Sequence, residues 1–314
     1  MAQDTVEAVI TGKQATRDAT AASRRGEAWA ALVFLTPWIL GIVLLTALPM
    51  IGSFVLSFSN YDLLSAPRWV GTANYERLLF SDPRYLKSLE VTTVYVLVSV
   101  PLAVAVALII AVTLSEATRS ANFFRGVYYL PSLLGGSVAI GVLWRQIFGS
   151  SGLVNISLSG LGFQTTSWIG DPRYALWTLI ILNVWQFGAP MVIFLAGVRQ
   201  IPKEVVEATI MDGANPVQRF FRITLPLLSP LILFNLVMQT ITAFQAFVPA
   251  YVVSDGSGGP IDSTLFYTLY LYLEGFRNFR MGYAMSMAWV LLVIIAVFTA
   301  LSFYASRFWV HYES

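Results

Sequence analysis

Cysteine is absent from the 314 residues, and histidine occurs once, at His311. The first absence excludes disulfides, thiolate metal sites and a cysteine nucleophile. The second leaves no histidine for a catalytic triad or a zinc site in the body of the chain. Charge is scarce as well. Asp, Glu, Lys and Arg make up 11% of the sequence, against about 25% in a typical soluble protein. So few ions cannot cover a water-facing surface, and an ordinary globular enzyme is excluded. A net charge of +2, spread along the chain, does not suit a nucleic-acid binder. No G-x-x-x-x-G-K-[ST] occurs, so there is no P-loop to hold ATP. What fills the sequence is apolar, with 57% hydrophobic and 14% aromatic residues. This is the composition of a membrane protein.

A helical span across a bilayer needs about 20 apolar residues. Six windows qualify: Ala28–Phe58, Val91–Leu114, Gly126–Trp144, Tyr174–Val198, Ile223–Val253 and Met281–Ser306. None contains Asp, Glu, Lys, Arg or His, as the expense of a charge at mid-bilayer requires. The third is the weakest, interrupted by Pro131, Gly135, Gly136 and Gly141. No alternating strand pattern of an outer-membrane barrel is present. The windows predict an all-α membrane protein with six transmembrane helices over residues 28–306. The first window is too long for a signal peptide and should remain as an anchor. Residues 1–27, polar and of mixed charge, read as a flexible cytoplasmic tail, and residues 307–314 as a short one.

Basic residues set the orientation. With the N-terminus inside, Lys13, Arg17, Arg24, Arg25, Arg119, Arg125, Arg199, Lys203, Arg219, Arg222 and Arg307 fall on the cytoplasmic side. Eight others, including Arg68, Arg84, Arg145 and Arg277, are diluted over longer outer connectors. Both termini are therefore expected in the cytoplasm. The outer connectors carry Asp62, Glu76, Asp82, Asp171, Asp255 and Asp262 and could dock a soluble partner, although external loops are polar in any case.

The most informative connector runs from Arg199 to Arg222. Pro202 fits the first turn of a helix, with Glu204 and Glu207 near its positive end. Gly213 is a helix terminator. Asn215 can cap a second helix, with Pro216 at its first position and Gln218 where a capping box places Glu or Gln. A short helix should therefore lie across the cytoplasmic surface, turn at Gly213 and feed the fifth span. Its apolar side needs either the membrane interface or a partner's groove.

The segment Glu207-Ala208-Thr209, then Gly213, then Ile223-Thr224-Leu225-Pro226 resembles the EAA loop of ABC-importer permeases, E-A-A-x3-G-x9-I-x-L-P. Thr209 at the second alanine is the one departure. Further segments resemble the carbohydrate-uptake branch: Tyr61-Asp62-Leu63, Gly71-Thr72-Ala73-Asn74-Tyr75, Phe123-Phe124-Arg125, Leu130-Pro131, Gly259-Pro260 and Gly282-Tyr283-Ala284. The layout is similar to the first permease of the maltose and glycerol-3-phosphate type of importer. The resemblance implies a type I ABC importer permease fold in the cytoplasmic membrane of a prokaryote. It also implies a heterodimer with a second permease, two ATPase subunits that hold ATP and Mg, and an extracellular solute-binding protein delivering a carbohydrate. This chain would carry no cofactor and no catalytic or metal site. Segment 199–226 would be the ATPase-coupling segment, with Glu204, Glu207, Ala208, Thr209, Asp212 and Gly213 at the contact.

An ion-coupled secondary transporter is the alternative. Such proteins often show paired broken helices in inverted repeats, and the halves here have no visible self-similarity. A scaffold or channel would not need the Gly213 turn, and a membrane enzyme lacks an acid/base constellation. For the substrate path, neutral amides in the spans are the candidates. Asn235, Gln239 and Thr242, spaced i, i+4, i+7, share one face of the fifth helix. Gln186 on the fourth span and Tyr283 on the sixth are expected to join them around a polar cavity. Helix–helix hydrogen bonding is the competing role for each.

Overall fold

The computed structural model describes residue 29 and residues 31–115 and 119–311. The expected tail over residues 1–27 lies outside the described residues, as do residues 312–314 of the other terminus. The chain divides after Leu56 into two units, each considered by itself.

Helix α1, Ala31–Ser57, makes up nearly all that is described of the first unit, and none of its most apolar window is buried within the protein. A helix apolar on every side belongs in lipid. Val43–Ala47 is π-helical, with the Leu48 N–H reaching back to the Val43 carbonyl. Pro49 explains the wider turn, since its ring has no N–H to donate and crowds the carbonyl four residues back.

The second unit opens with a two-stranded antiparallel pair, β1 (Ser59–Asn60) and β2 (Arg68–Trp69), with Ser59 opposite Trp69. Helix α2 (Ala73–Phe80) follows, then α3 (Pro83–Thr113), whose 31 residues span about 46 Å at the α-helical rise. Asp82 starts α3: its side chain accepts from the Arg84 and Tyr85 N–H groups, and Pro83 takes the first position.

Helix α3 is the central element, packed against α7 (Ala175–Trp185), α8 (Gly188–Gln200) and α11 (Ser229–Phe244). Ser99, Ala103, Ala107 and Ala111 recur every four residues along one face and are all fully buried. Small residues let helices approach closely, which is how spans pack when lipid removes the hydrophobic drive between them. Met191, Phe194 and Leu228 share the buried cluster that contains Ala107 and Ala111. Gly197 allows the same closeness on α8, since a Cβ there would lie 2.2 Å from Leu231 Cδ1.

Two of the six expected windows are sharply bent. The third divides into α4 (Arg119–Leu134) and α5 (Val138–Phe148), which continues toward α6 (Leu153–Gly160) at 101° to the helix before it. Pro131 lies within α4 and does not break it. The break falls at Gly135 and Gly136, and Ser137 then caps α5 through the Ile140 N–H. The fifth divides into α10 (Pro216–Leu227) and α11, bent by 68° at Leu228. Pro226 and Pro230 flank that bend, and α10 is π-helical over Phe220–Thr224 just before Pro226. Helix α11 also ends at Phe244, and α12 (Val248–Val253) is separate. Helices α13 (Tyr267–Tyr272) and α14 (Met281–Ser306) complete the unit, α14 matching the sixth window. Among the described residues, and with α7 and α8 taken together as Ala175–Gln200, four helices are long and apolar enough to cross a membrane, or up to six when each bent pair is one crossing.

Candidate coupling segment and polar helix faces

Helix α9, Lys203–Met211, lies between α8 and α10. Glu204 is in its first turn, and Pro202 precedes it as the capping residue. Its far end closes with a Schellman arrangement. Ala214 N–H donates to the Thr209 carbonyl and Gly213 N–H to the Ile210 carbonyl, both at 3.0 Å. Gly213 sits at φ +75°, a conformation that strains any residue with a Cβ. Two residues later the capping box is present in full. Asn215 accepts from the Gln218 N–H at 2.8 Å, and the Gln218 side chain accepts from the Asn215 N–H at 3.0 Å. Two helix ends are therefore satisfied locally, and the turn between them is set without help from the rest of the protein.

Outward, α9 offers an unsatisfied surface. Glu204, Glu207, Ala208, Asp212 and Gly213 are exposed, and Thr209 is half-buried, its hydroxyl donating to the Val206 carbonyl. Ile210 and Met211 are 53% and 87% exposed, and Val217 and Phe221 of α10 are open too. No described residue pairs with the carboxylates of Glu204, Glu207 or Asp212. An apolar patch ringed by unpaired carboxylates has the make-up of a protein contact.

The polar residues of the spans are placed differently from one another. Asn235 is buried and its amide donates to the Leu231 carbonyl one turn back. Thr242 does the same to Met238 but is exposed, and Gln239 between them is half-buried. The shared face thus runs from the interior of the unit to its surface. Gln186 donates to the Leu182 carbonyl at 3.1 Å and lies against the break in the third window. A Cβ on Gly135 would fall 2.0 Å from Gln186 Cδ. Asn183, one turn before Gln186, keeps a buried Nδ2 with no hydrogen-bond partner among the described residues.

Tyr283 is 3% exposed, and its hydroxyl donates to Asp82 Oδ2 at 2.7 Å. Tyr270 donates to the same oxygen at 2.7 Å. In the sequence Asp82 is one more acid of a polar outer connector, yet Asp82-Pro83 before a long apolar run is the pattern of an N-cap with proline at the first position. Burial raises the pKa of Asp82, but the hydrogen bonds from Tyr270, Tyr283 and the Tyr85 N–H, with the Arg77 charge, outweigh it. The carboxyl is held below its ordinary value. Arg84 grips Asp262 through Nε and Nη2 at 2.9 and 2.6 Å, and Arg145 pairs with Asp255.

Two neighbouring short motifs and a third some two hundred residues later meet beside this cluster. Asn74 donates to the Ser57 and Ser59 carbonyls at 2.8 and 2.9 Å. Gly282 N–H donates to the Tyr61 carbonyl at 3.0 Å. A Cβ on Gly282 would lie 2.0 Å from the Ser59 carbonyl oxygen, so only glycine admits the contact. The peptide bond at Gly259-Pro260 is cis.

Comparison with known proteins agrees with this arrangement. The family described as binding-protein-dependent transport system inner membrane component matches residues 80–310. A probable ABC transporter permease, YesP of Bacillus subtilis, is 50% identical over 97% of this chain and 99% of its own. The lactose transport system permease LacF of Rhizobium radiobacter is 33% identical over 88% of this chain and 93% of its own. The arabinooligosaccharides permease AraP of Halalkalibacterium halodurans is 32% identical, covering 87% of this chain and 86% of its own. Among solved structures, a bacterial ABC transporter involved in the import of the acidic polysaccharide alginate is similar with TM-score 0.72 at 22% identity. The similarity covers 89% of this chain and 95% of that one. The fold is thus that of type I ABC importer permeases. With 231 consecutive residues matched, from just before the Asp82 cap through α14, the chain belongs to the inner-membrane components of binding-protein-dependent transport systems.

Proposed function

We propose that this chain is one membrane-spanning subunit of an ATP-driven importer that carries a carbohydrate into the cell. Relatives named for lactose and arabinooligosaccharide transport support the cargo class. In this reading a second permease completes the pathway and two separate ATPases bind ATP with Mg. An extracellular binding protein delivers the sugar. The alternative of an ion-coupled secondary transporter is not retained, because the family depends on a binding protein. The chain crosses six times with both termini cytoplasmic, each bent pair serving as one crossing.

The observation that carries the coupling role is the exposed, doubly capped helix at the EAA spacing. Ile210 and Met211 supply apolar area for a cleft on an ATPase. Burying one such side chain stabilises a contact by about 1.5–3 kcal/mol before ordering costs. Ala208 permits close approach, and Glu204, Glu207 and Asp212 are free for charge-assisted bonds. Because Gly213 and the Asn215 capping box make a stiff turn, displacement of α9 passes to α10 and through the Leu228 bend to α11. Asn235, Gln239 and Thr242 ride on α11, and with Gln186 they form the polar side of the path. Tyr283, tied to Asp82, holds α14 to the start of α3 beside it.

The test combines topology and coupling. Reporter fusions after Arg119, Gly213 and Gly258 should read inside, inside and outside. Gly213→Val should abolish uptake while the protein still inserts. Undiminished uptake in that variant, or an outside signal at Gly213, refutes the coupling role.

A further inference from the structure

Behind α9 lies a cavity of about 320 Å³, whose walls include Thr209 but none of the exposed carboxylates of the coupling segment. Val112 and Ser115 at the end of α3, Val198 of α8, Thr209 of α9, and Arg219 and Phe220 of α10 are among its walls. Most of the lining is aliphatic or aromatic. The hydroxyls of Ser115 and Thr209 already donate to the Val112 and Val206 carbonyls. Arg219 is different. The residue is half-buried; its Nε is buried and has no hydrogen-bond partner among the described residues, and no described carboxylate pairs with the guanidinium. A buried N–H donor left unpaired is destabilising, and because it belongs to a cation an anion is the acceptor that suits it best.

The walls decide what kind of anion. A free phosphate or carboxylate would need several donors and would gain nothing from Val112, Val198 and Phe220. An amphiphile gains from both halves of the site: its anionic head meets the guanidinium and its first methylenes cover the aliphatic wall. The cavity lies where the ends of α3 and α8 meet the start of α10, and a volume of this size takes a headgroup and the root of one chain, not a whole lipid. Arg199 and Arg222 on the same connector add to the attraction for negative headgroups. We propose that this cavity binds an anionic phospholipid, its phosphate on Arg219, wedged between the coupling helix and the spans.

The experiment counts lipid on the full-length protein, purified in mild detergent with the subunits that accompany it. Native mass spectrometry after exchange into phosphatidylglycerol should show one tightly retained lipid per chain. Phosphatidylcholine should compete poorly, and inorganic phosphate in large excess should not displace the lipid. Arg219→Gln should weaken retention roughly tenfold, on the scale of one charge-assisted hydrogen bond, and Arg219→Lys should recover part of it. Equal retention in Arg219→Gln, indifference to headgroup charge, or displacement by phosphate alone overturns the proposal. Loss of accompanying subunits with lipid retention unchanged also overturns it, and points instead to a carboxylate of a partner protein as the occupant. If Arg219→Gln does not fold, the headgroup competition on the unaltered protein still decides. These readouts do not depend on the sugar carried or on transport.

Discussion

Gln186 occupies the space that a side chain on residue 135 would need: a Cβ on Gly135 would lie 2.0 Å from its Cδ and 2.2 Å from its Oε1. The amide is also tied to the Leu182 carbonyl, so it cannot swing away without losing that bond. A polar side chain of one span thereby fills the notch where another bends by 101°.

Gly135→Ala should consequently destabilise the protein by about 1–3 kcal/mol, the usual range for overpacking a filled site. Thermal unfolding in detergent measures it. Adding Gln186→Ala should return most of the loss, because the clash is with that side chain. Additive effects of the two substitutions would show that the contact does not govern the bend.

Asp82 should be the most sensitive carboxylate in the connectors. Asp82→Ala removes the cap of α3 and leaves two buried tyrosine hydroxyls without an acceptor, a loss of about 2–4 kcal/mol. Tyr283→Phe should lose only about 1 kcal/mol, since it removes one donor and orphans nothing. The pH dependence has a definite sign. The folded pKa lies below the unfolded value near 3.9. The contribution is therefore complete above the unfolded pKa and disappears as pH falls through the folded one. Stability of the parent protein should drop between about pH 4 and the lower folded value, and Asp82→Asn should flatten that drop.

The capping box gives a milder test of coupling than Gly213. Asn215→Ala removes the acceptor of the Gln218 N–H, while the backbone N–H at 215 keeps its bond to the Gln218 side chain, and should weaken the start of α10 by about 1 kcal/mol. Uptake should fall while membrane insertion is unchanged, and Asn215→Asp should restore it. Equal uptake in all three proteins would show that the stiffness of this turn does not matter.

For the path, Asn235→Leu and Gln239→Leu separate two roles. Lost uptake with normal assembly and ATP hydrolysis supports contact with the sugar. Failed assembly assigns the amides to packing. Because Asn235 is buried and bonded to Leu231, Gln239 should show the stronger uptake defect relative to its effect on assembly.

Much of this protein is decided locally and is legible along the chain. Charge-free windows mark the spans because hydrocarbon excludes ions wherever the helix sits. The α9–α10 turn is equally local: Gly213, Asn215, Pro216 and Gln218 satisfy two helix ends with bonds spanning no more than five residues. Both can be read from residue type and spacing.

The bends and the polar partners belong to the tertiary structure. Glycines at 135 and 136 permit the 101° bend in the third window, but Gln186, far along the chain, fills it. Asp82 reads as one more acid in a polar loop until α13 and α14 bring two tyrosine hydroxyls to it across 188 and 201 positions. Tyr283 reads in the sequence as a path residue, and only the packing brings its hydroxyl to Asp82. An amphipathic ring shows its type in sequence, but which partner its hydroxyl meets depends on packing between elements far apart in the chain. Nor does helical spacing alone foretell that Asn235 faces inward and Thr242 outward, because burial along one face changes with what packs at each depth.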